Sequence, residues 1–279
     1  MSSLRTSSSI LRSPGRKLLN PNFSNEKFAR SAATSRQGGT SPAAAVARGS
    51  TARLTGRLAG KFCKMNAKFG LKNKELSELY CSYRKEIINR ISQFESIRKR
   101  LDRPRIFEEF LFCLLTPQSK AESCWKGICE LKEKGLLSGG EAGPISQCLR
   151  KLVRFHNNKS KYIVEARQKF PLFMEILRKE KDVFRLREWL VRNIKGMGYK
   201  EASHFLRNIG MGEEIAILDR HIFKNLKALD MIRDIPSSIT PEKYFEIEKK
   251  MRAFSRRIDI PLAHLDLLFW AREAGKVFK

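Results

Sequence analysis

The residues most suited to chemistry lie in the segment Asn193-Ile-Lys-Gly-Met-Gly-Tyr-Lys200. Gly196 and Gly198 separate two stretches of helically spaced apolar residues, so they predict a helix, a G-x-G turn and a second helix over residues 189–210. Without a Cβ, each glycine lets a phosphate approach the backbone, and the first amide groups of the second helix can donate to it. The pattern indicates a hairpin that holds a nucleic-acid backbone without reading its sequence, or else an ordinary turn between helices.

Lys200 lies in the first turn of the second predicted helix. The helix macrodipole disfavours a cation there, which favours the neutral amine, and an amine is a nucleophile. The alternative is a solvated surface lysine. The helical period places Arg207 on the same side as Lys200, opposite the apolar stripe. We predict that Lys195 and Arg207 contact the DNA backbone.

Asp219 is the second candidate for chemistry. It follows the apolar run Ile215-Ala-Ile-Leu218 and precedes a predicted helix start at Arg220. As a simple N-cap it would contribute about 1 kcal/mol to stability. As a carboxylate fixed by that helix, a short connection after the hairpin, it could also face a sugar that the hairpin holds.

Metal chemistry is not expected. The six cysteines include no CxxC pair, and none follows position 148. The four histidines form no H-x-x-x-H or H-E-x-x-H pattern. The cysteines therefore indicate reduced thiols in an intracellular protein, and we predict no metal site and no cofactor.

Helices must position these residues, because apolar residues recur at three- and four-residue spacing from about position 75 onward and alternating strand patterns are absent. We predict an all-α protein. The predicted helices cover 75–95, 105–116, 119–133, 144–155, 159–179 with a break near Pro171, 183–194, 199–209, 220–229, 241–254 and 261–274.

The charge of the chain favours a polyanionic partner. The 279 residues include 56 Lys and Arg against 29 Asp and Glu, and residues 1–64 hold 12 of the basic and 1 of the acidic ones. The remaining 44 basic and 28 acidic residues give residues 65–279 a net charge of +16. The longest apolar run, 110–115, is too short to span a bilayer, which excludes an integral membrane protein.

Residues 1–64 are predicted to be a disordered basic leader that precedes a helical domain over 65–279. The leader fits three interpretations: an organelle transit peptide, a DNA-tethering arm, or sequence upstream of a true start at Met65.

A second set of motifs carries a family resemblance. The segment 193–208, the segment Lys161-Tyr-Ile-Val-Glu-Ala-Arg167 and the ending Leu265-Asp-Leu-Leu-Phe-Trp270 with Gly275-Lys-Val-Phe-Lys279 resemble helix-hairpin-helix DNA glycosylases with lyase activity. The similarity is greatest to archaeal-type 8-oxoguanine DNA glycosylases, and it covers about residues 75–279. The iron–sulfur branch, similar to endonuclease III, carries four cysteines after the hairpin, and this chain has none there.

The resemblance implies two helical subdomains that flank a DNA cleft, with Lys200 as the catalytic lysine and Asp219 as the catalytic aspartate. The enzyme would remove 8-oxoguanine and nick the strand by β-elimination through a lysine Schiff base. Its substrate would be double-stranded DNA with 8-oxoguanine or abasic sites, and we expect an intracellular monomer without a membrane partner.

The resemblance also implies residues that bind the flipped base. Phe155 and Trp270 match the aromatic residues around that base, with plain core aromatics as the alternative. Lys279 matches the C-terminal lysine of the family, which helps to recognise the oxidised guanine. Gln118 is a further candidate for base contact, or simply a polar residue at a helix start.

Two other functions stay open at this point. The protein could be a lyase that acts mainly on abasic sites, or a non-enzymatic hairpin module that only holds DNA.

Overall fold

The computed structural model describes residues 71–279, and this part of the chain contains helices and no strands. The prediction of an all-α protein is confirmed. The leader predicted over 1–64 and the start at Met65 lie outside the described residues. The helices are α1 Leu71–Lys99, α2 Arg103–Leu115, α3 Ala121–Glu133, α4 Leu136–Gly139, α5 Ala142–Leu149, α6 His156–Lys179, α7 Val183–Asn193, α8 Tyr199–Asn208, α9 Arg220–Ala228, α10 Pro241–Ile258 and α11 Leu262–Ala274.

Local sequence signals set several of the helix starts. Asp102 caps α2 by accepting a hydrogen bond from the Arg105 amide at 3.1 Å, and Asp182 caps α7 by accepting from the Phe184 amide at 2.8 Å. Thr240 caps α10, directly before Pro241. Proline is tolerated at a first helical position because the missing N–H has no partner there in any case.

Two hydrophobic clusters form the interior of the described region. The first cluster contains the buried faces of α2, α3 and α5–α8, and Phe110 at its centre contacts the rings of Phe170, Phe173 and Phe205. The second cluster contains α1 and α9–α11, and Tyr244 is one of its largest buried side chains. These clusters are the two helical subdomains that the resemblance implies.

A buried ion pair joins the two clusters. Arg187 on α7 donates from Nη1 and Nη2 to Glu248 on α10 at 2.6 and 3.0 Å, and Arg187 Nη1 also donates to Ser203 on α8 at 3.1 Å. Glu248 accepts a further hydrogen bond from the Ala216 amide at 2.8 Å. The two charges pair with each other, as burial requires, although Arg187 Nε has no hydrogen-bond partner.

The structure corrects two predicted helices. α6 continues through Pro171, where a break was predicted, because Phe170, Phe173 and Met174 on both sides of the proline are buried in the first cluster and hold the helix there. The helix predicted over 144–155 ends at Leu149 and is followed by turns, and the left-handed backbone of Phe155, the N-cap of α6, prevents it from reaching position 155.

No helix within residues 71–279 combines the length and the apolar character that crossing a membrane requires.

Candidate functional site: the hairpin and its cleft

The turn between α7 and α8 exposes its backbone to solvent. Lys195, Gly196 and Gly198 are exposed, whereas Ile194 and Met197 point into the first cluster. This alternation anchors the turn by its apolar side chains and leaves the two glycines accessible to a phosphate.

Gly196 is required at this turn for two reasons. Its φ is +84°, in the left-handed region, and a Cβ at this position would lie 2.5 Å from the Tyr162 ring. Lys195 is beside the same ring, with Nζ 5.7 Å from its centre and 3.5 Å from Glu165 Oε1. Gly198 has an extended backbone, and its amide donates to Glu201 at 3.2 Å.

Lys200 extends from the first turn of α8 into a cleft of about 980 Å³. Its Nζ lies 3.3 Å from Thr116 Oγ1 and 3.5 Å from Glu201 Oε1, and its side chain is 23% exposed. These contacts are long for an ammonium group, so they leave the amine free to reach another atom in the cleft.

Asp219 lines the same cleft as Lys200. It is the N-cap of α9, where its Oδ1 accepts a hydrogen bond from the Ile222 amide at 2.8 Å. Ile217 and Leu218 before it are buried, so the carboxylate is fixed between an anchored segment and a helix start. Asp219 therefore both caps α9 and lines the cleft.

Three of the four predicted base-binding residues also line this cleft: Gln118, Trp270 and Lys279. Trp270 meets His221 edge to face, with ring centres 5.0 Å apart at 79°. The fourth, Phe155, is 53% exposed and lies outside the cleft lining, although Arg154 directly before it does line the cleft.

Lys279 is held tightly at the floor of the cleft. Its Nζ contacts Glu109 Oε1 at 2.5 Å and lies 3.1 Å from the centre of the Trp125 ring. Burial lowers the pKa of Lys279, and the charge of Glu109 opposes this shift. Glu109 also accepts a hydrogen bond from Asn208 at 2.8 Å, so the floor is a small polar network.

Arg207 does not have the position that the sequence predicts. It is 3% exposed, its Nη2 pairs with Asp266 Oδ2 at 2.9 Å, and its guanidinium lies 5.1 Å from the Phe94 ring centre. A contact with the DNA backbone would need an exposed side chain. α8 is enclosed by α1, α2 and α7, so its polar side faces the cleft interior instead of solvent.

Two cleft residues lack a predicted role. Burial, partly offset by Arg207 and reinforced by Asp219, raises the pKa of Asp266 to about 6. Burial and the neighbouring cations lower the pKa of His204 well below its usual value, and neither of its ring nitrogens has a hydrogen-bond partner in the described structure. The sequence signal that could have identified Asp266 is its position as the one acidic residue in the otherwise apolar run 265–269.

No group of three or more His, Cys, Asp or Glu side chains within residues 71–279 is arranged to hold a metal ion.

The exposed G-x-G turn between two helices, next to a cleft with a lysine and a capping aspartate, defines the chain as a helix-hairpin-helix protein. A family model described as 8-oxoguanine DNA glycosylase matches residues 87–260. The chain belongs to this family, as the sequence resemblance indicates.

Curated relatives agree with this membership. An 8-oxoguanine DNA glycosylase/AP lyase of Fusobacterium nucleatum is 46% identical over 210 residues, which cover 74% of this chain and 96% of the relative. One of Methanocaldococcus jannaschii is 39% identical over 211 residues, which cover 74% and 98%.

Solved structures match as well. The crystal structure of Methanocaldococcus jannaschii 8-oxoguanine DNA glycosylase has a TM-score of 0.66 at 37% identity and covers 74% of this chain and 95% of its own. The glycosylase/lyase of that organism in complex with a 15mer DNA containing 8-oxoguanine gives 0.69 at 36% identity, with 74% and 99% covered.

Proposed function

We propose that this protein removes 8-oxoguanine from double-stranded DNA and then nicks the strand at the abasic site. The observation that carries the proposal is the loosely held amine of Lys200 in the same cleft as the fixed carboxylate of Asp219. The family membership and the names of the relatives supply the base that is removed.

Lys200 is the proposed nucleophile. The amine attacks C1′ of the damaged nucleotide, so that an Nζ–C1′ bond forms while the bond to the base breaks, and the base leaves with one of the two amine protons. The C1′–O4′ bond then breaks, O4′ takes a proton from solvent, and the Nζ electron pair forms the C=N bond of a protonated Schiff base. Transfer of a C2′ proton to solvent breaks the C3′–O bond, so that the 3′ phosphate leaves and the strand is nicked, and hydrolysis returns the free amine.

Asp219 has two proposed tasks in this reaction. Its carboxylate stabilises the positive charge that develops on the sugar as the base departs, and it helps to activate the Lys200 amine. The hydrogen bond from the Ile222 amide holds the carboxylate in place, so little reorganisation is needed during the step.

The flipped base enters the cleft at a cost of a few kcal/mol for unstacking. Trp270 offers a ring face, Lys279 a fixed ammonium, and Gln118 an amide that can donate or accept. Phe155 contacts the DNA beside the cleft rather than inside it, because its ring is exposed.

The exposed hairpin turn holds the DNA backbone where the chain passes through Gly196 and Gly198, and through Lys195. The net charge of +16 over residues 65–279 attracts the duplex without regard to sequence.

Borohydride trapping tests this function. The protein is incubated with three duplexes, which contain 8-oxoguanine, an abasic site or no lesion, and the Schiff base is reduced to a covalent adduct. We expect adducts with the first two. An adduct with the abasic duplex alone would support a lyase without base specificity, and no adduct at all would support a binding module.

We further propose that the protein acts as a monomer in a compartment that contains DNA. One chain supplies all of the cleft residues named above, from α2 to residue 279. Light scattering during gel filtration, with and without duplex, tests the monomer, and fractionation of cells tests the compartment.

A further inference from the structure

Two exposed residues at the edge of the cleft have a backbone conformation that is uncommon for residues other than glycine. Gln118 has a φ of +54° and Phe155 a φ of +58°. Such conformations persist only where the surrounding structure fixes them, and they concentrate at functional sites. The two residues belong to separate segments, the loop after α2 and the start of α6, so each segment needs its own support.

Lys159 holds the first segment, the loop after α2, by hydrogen bonds. Its Nζ donates to Leu115 O at 2.7 Å, to Pro117 O at 2.8 Å and to Ser119 Oγ at 2.9 Å. Three donors thus meet three acceptors on a residue that is 3% exposed. Two of the acceptors belong to the neighbours of Gln118 on either side, which fixes the loop that presents it.

Ser119 extends the same support to the second segment. Its Oγ accepts a hydrogen bond from the Arg154 amide at 2.9 Å. Arg154 directly precedes Phe155, and its guanidinium lies 5.9 Å from the centre of that ring. Lys159 and Ser119, which we call the Lys159–Ser119 cluster, therefore connect both unusual backbone positions through one hydroxyl.

Burying a lysine at this position costs free energy, because its charge must be desolvated. Burial lowers the pKa of Lys159 to about 8, although the Cys124 thiol and Glu201 oppose the shift and Lys200 adds to it. A methionine would occupy a similar volume without a charge to desolvate. What only the lysine provides is three hydrogen bonds, and all three go to the segment that carries Gln118.

We propose that Lys159 and Ser119 are positioning residues, which hold Gln118 and Phe155 in the conformation that contacts DNA on two sides of the lesion. This inference rests on the proposed function, since it takes these two side chains as DNA contacts. Neither Lys159 nor Ser119 touches the reacting atoms, so both act through Gln118 and Phe155.

The test is a double-mutant cycle that joins Ser119→Ala with Gln118→Ala and with Phe155→Ala. Single-turnover rates are measured on duplexes with 8-oxoguanine and with a preformed abasic site. Ser119→Ala removes one oxygen and keeps the loop volume, and thermal melting checks that the variant is folded. Ser82→Ala, an exposed serine on α1, is the matched control. Lys159→Met is the second variant.

We expect Ser119→Ala to lower base excision about tenfold to a hundredfold and cleavage at the abasic site by much less, because no base has to be unstacked there. Adding Gln118→Ala or Phe155→Ala should then cost less than the product of the single effects. Purely multiplicative effects, or equal losses on both substrates, would overturn the inference. If the unaltered protein itself fails to excise 8-oxoguanine, the proposed function fails instead.

Discussion

Two lysines in the same cleft, Lys200 and Lys279, are held in opposite ways. The Lys200 ammonium has two long contacts, at 3.3 and 3.5 Å, on a side chain that is 23% exposed. The Lys279 ammonium has a 2.5 Å contact with Glu109 and lies 3.1 Å from the Trp125 ring centre, on a side chain that is 5% exposed. A loosely held amine can move toward an incoming atom, whereas a fixed ammonium presents its hydrogen-bond donors at one position. With the proposed roles of these two lysines, the cleft would separate the reaction from the recognition of the base.

The largest effect is expected from Lys200→Gln, which removes the loosely held amine. We expect strand nicking and borohydride trapping to fall by about a thousandfold or more, since the nucleophile is gone, while binding to the lesion duplex is kept. Lys74→Gln is the matched control, because that lysine is exposed at the start of α1 and does not line the cleft. Undiminished trapping in Lys200→Gln would disprove the assignment.

Removal of Lys279 should affect recognition instead. We expect deletion of this residue to lower 8-oxoguanine excision about a hundredfold and to change cleavage at a preformed abasic site little, because that substrate presents no base to recognise. Single-turnover rates on both duplexes measure the ratio. Since the deletion leaves Glu109 buried without its partner, the deletion combined with Glu109→Gln separates that penalty from the loss of recognition. Equal losses on both substrates would contradict the division of roles.

A third cleft residue, Asp266, is expected to make the stability of the protein depend on pH. Its pKa is raised from 3.8 to about 6, so the folded protein binds this proton more tightly than the unfolded chain does. The resulting contribution to stability is complete below about pH 4 and is lost as pH rises through 6, a change of about 3 kcal/mol. Melting of the unaltered protein and of Asp266→Asn between pH 4 and 7.5 should show a gap that depends on pH. A constant gap would mean that this carboxyl is not desolvated.

The smallest effect is expected at the hairpin. Lys195→Ala should reduce the slope of log K against log salt by about 0.9 for binding to any duplex, without altering lesion preference. Lys74→Ala, another exposed lysine at the start of α1, should leave the slope unchanged. A change in lesion preference would place Lys195 at the base rather than at the backbone.

The sequence predicts the hairpin well because every signal for it is local. The turn glycines and the apolar spacing on both sides act within a few residues of each other, and the cap at Asp219 is equally local to the start of α9. The floor of the cleft is different, since Glu109 is 99 positions from Asn208 and 170 from Lys279. No local pattern links residues at such separations.

The position of Arg207 shows the limit of the helical period. A polar side on an amphipathic helix is normally solvated, and this is why a DNA-backbone contact was predicted. Here the polar side of α8 faces a cleft, so Arg207 is buried against Asp266. Similarly, the local cost of Pro171 predicts a break in the helix, and this prediction is wrong because the burial of its neighbours outweighs that cost.

The ion pair between Arg187 and Glu248 has a mechanical consequence. Breaking a buried pair of this kind costs about 3–5 kcal/mol, while bending a duplex over a binding site costs about 1–6 kcal/mol. The pair therefore opposes separation of the two clusters with a free energy of the same order as the bending of a duplex.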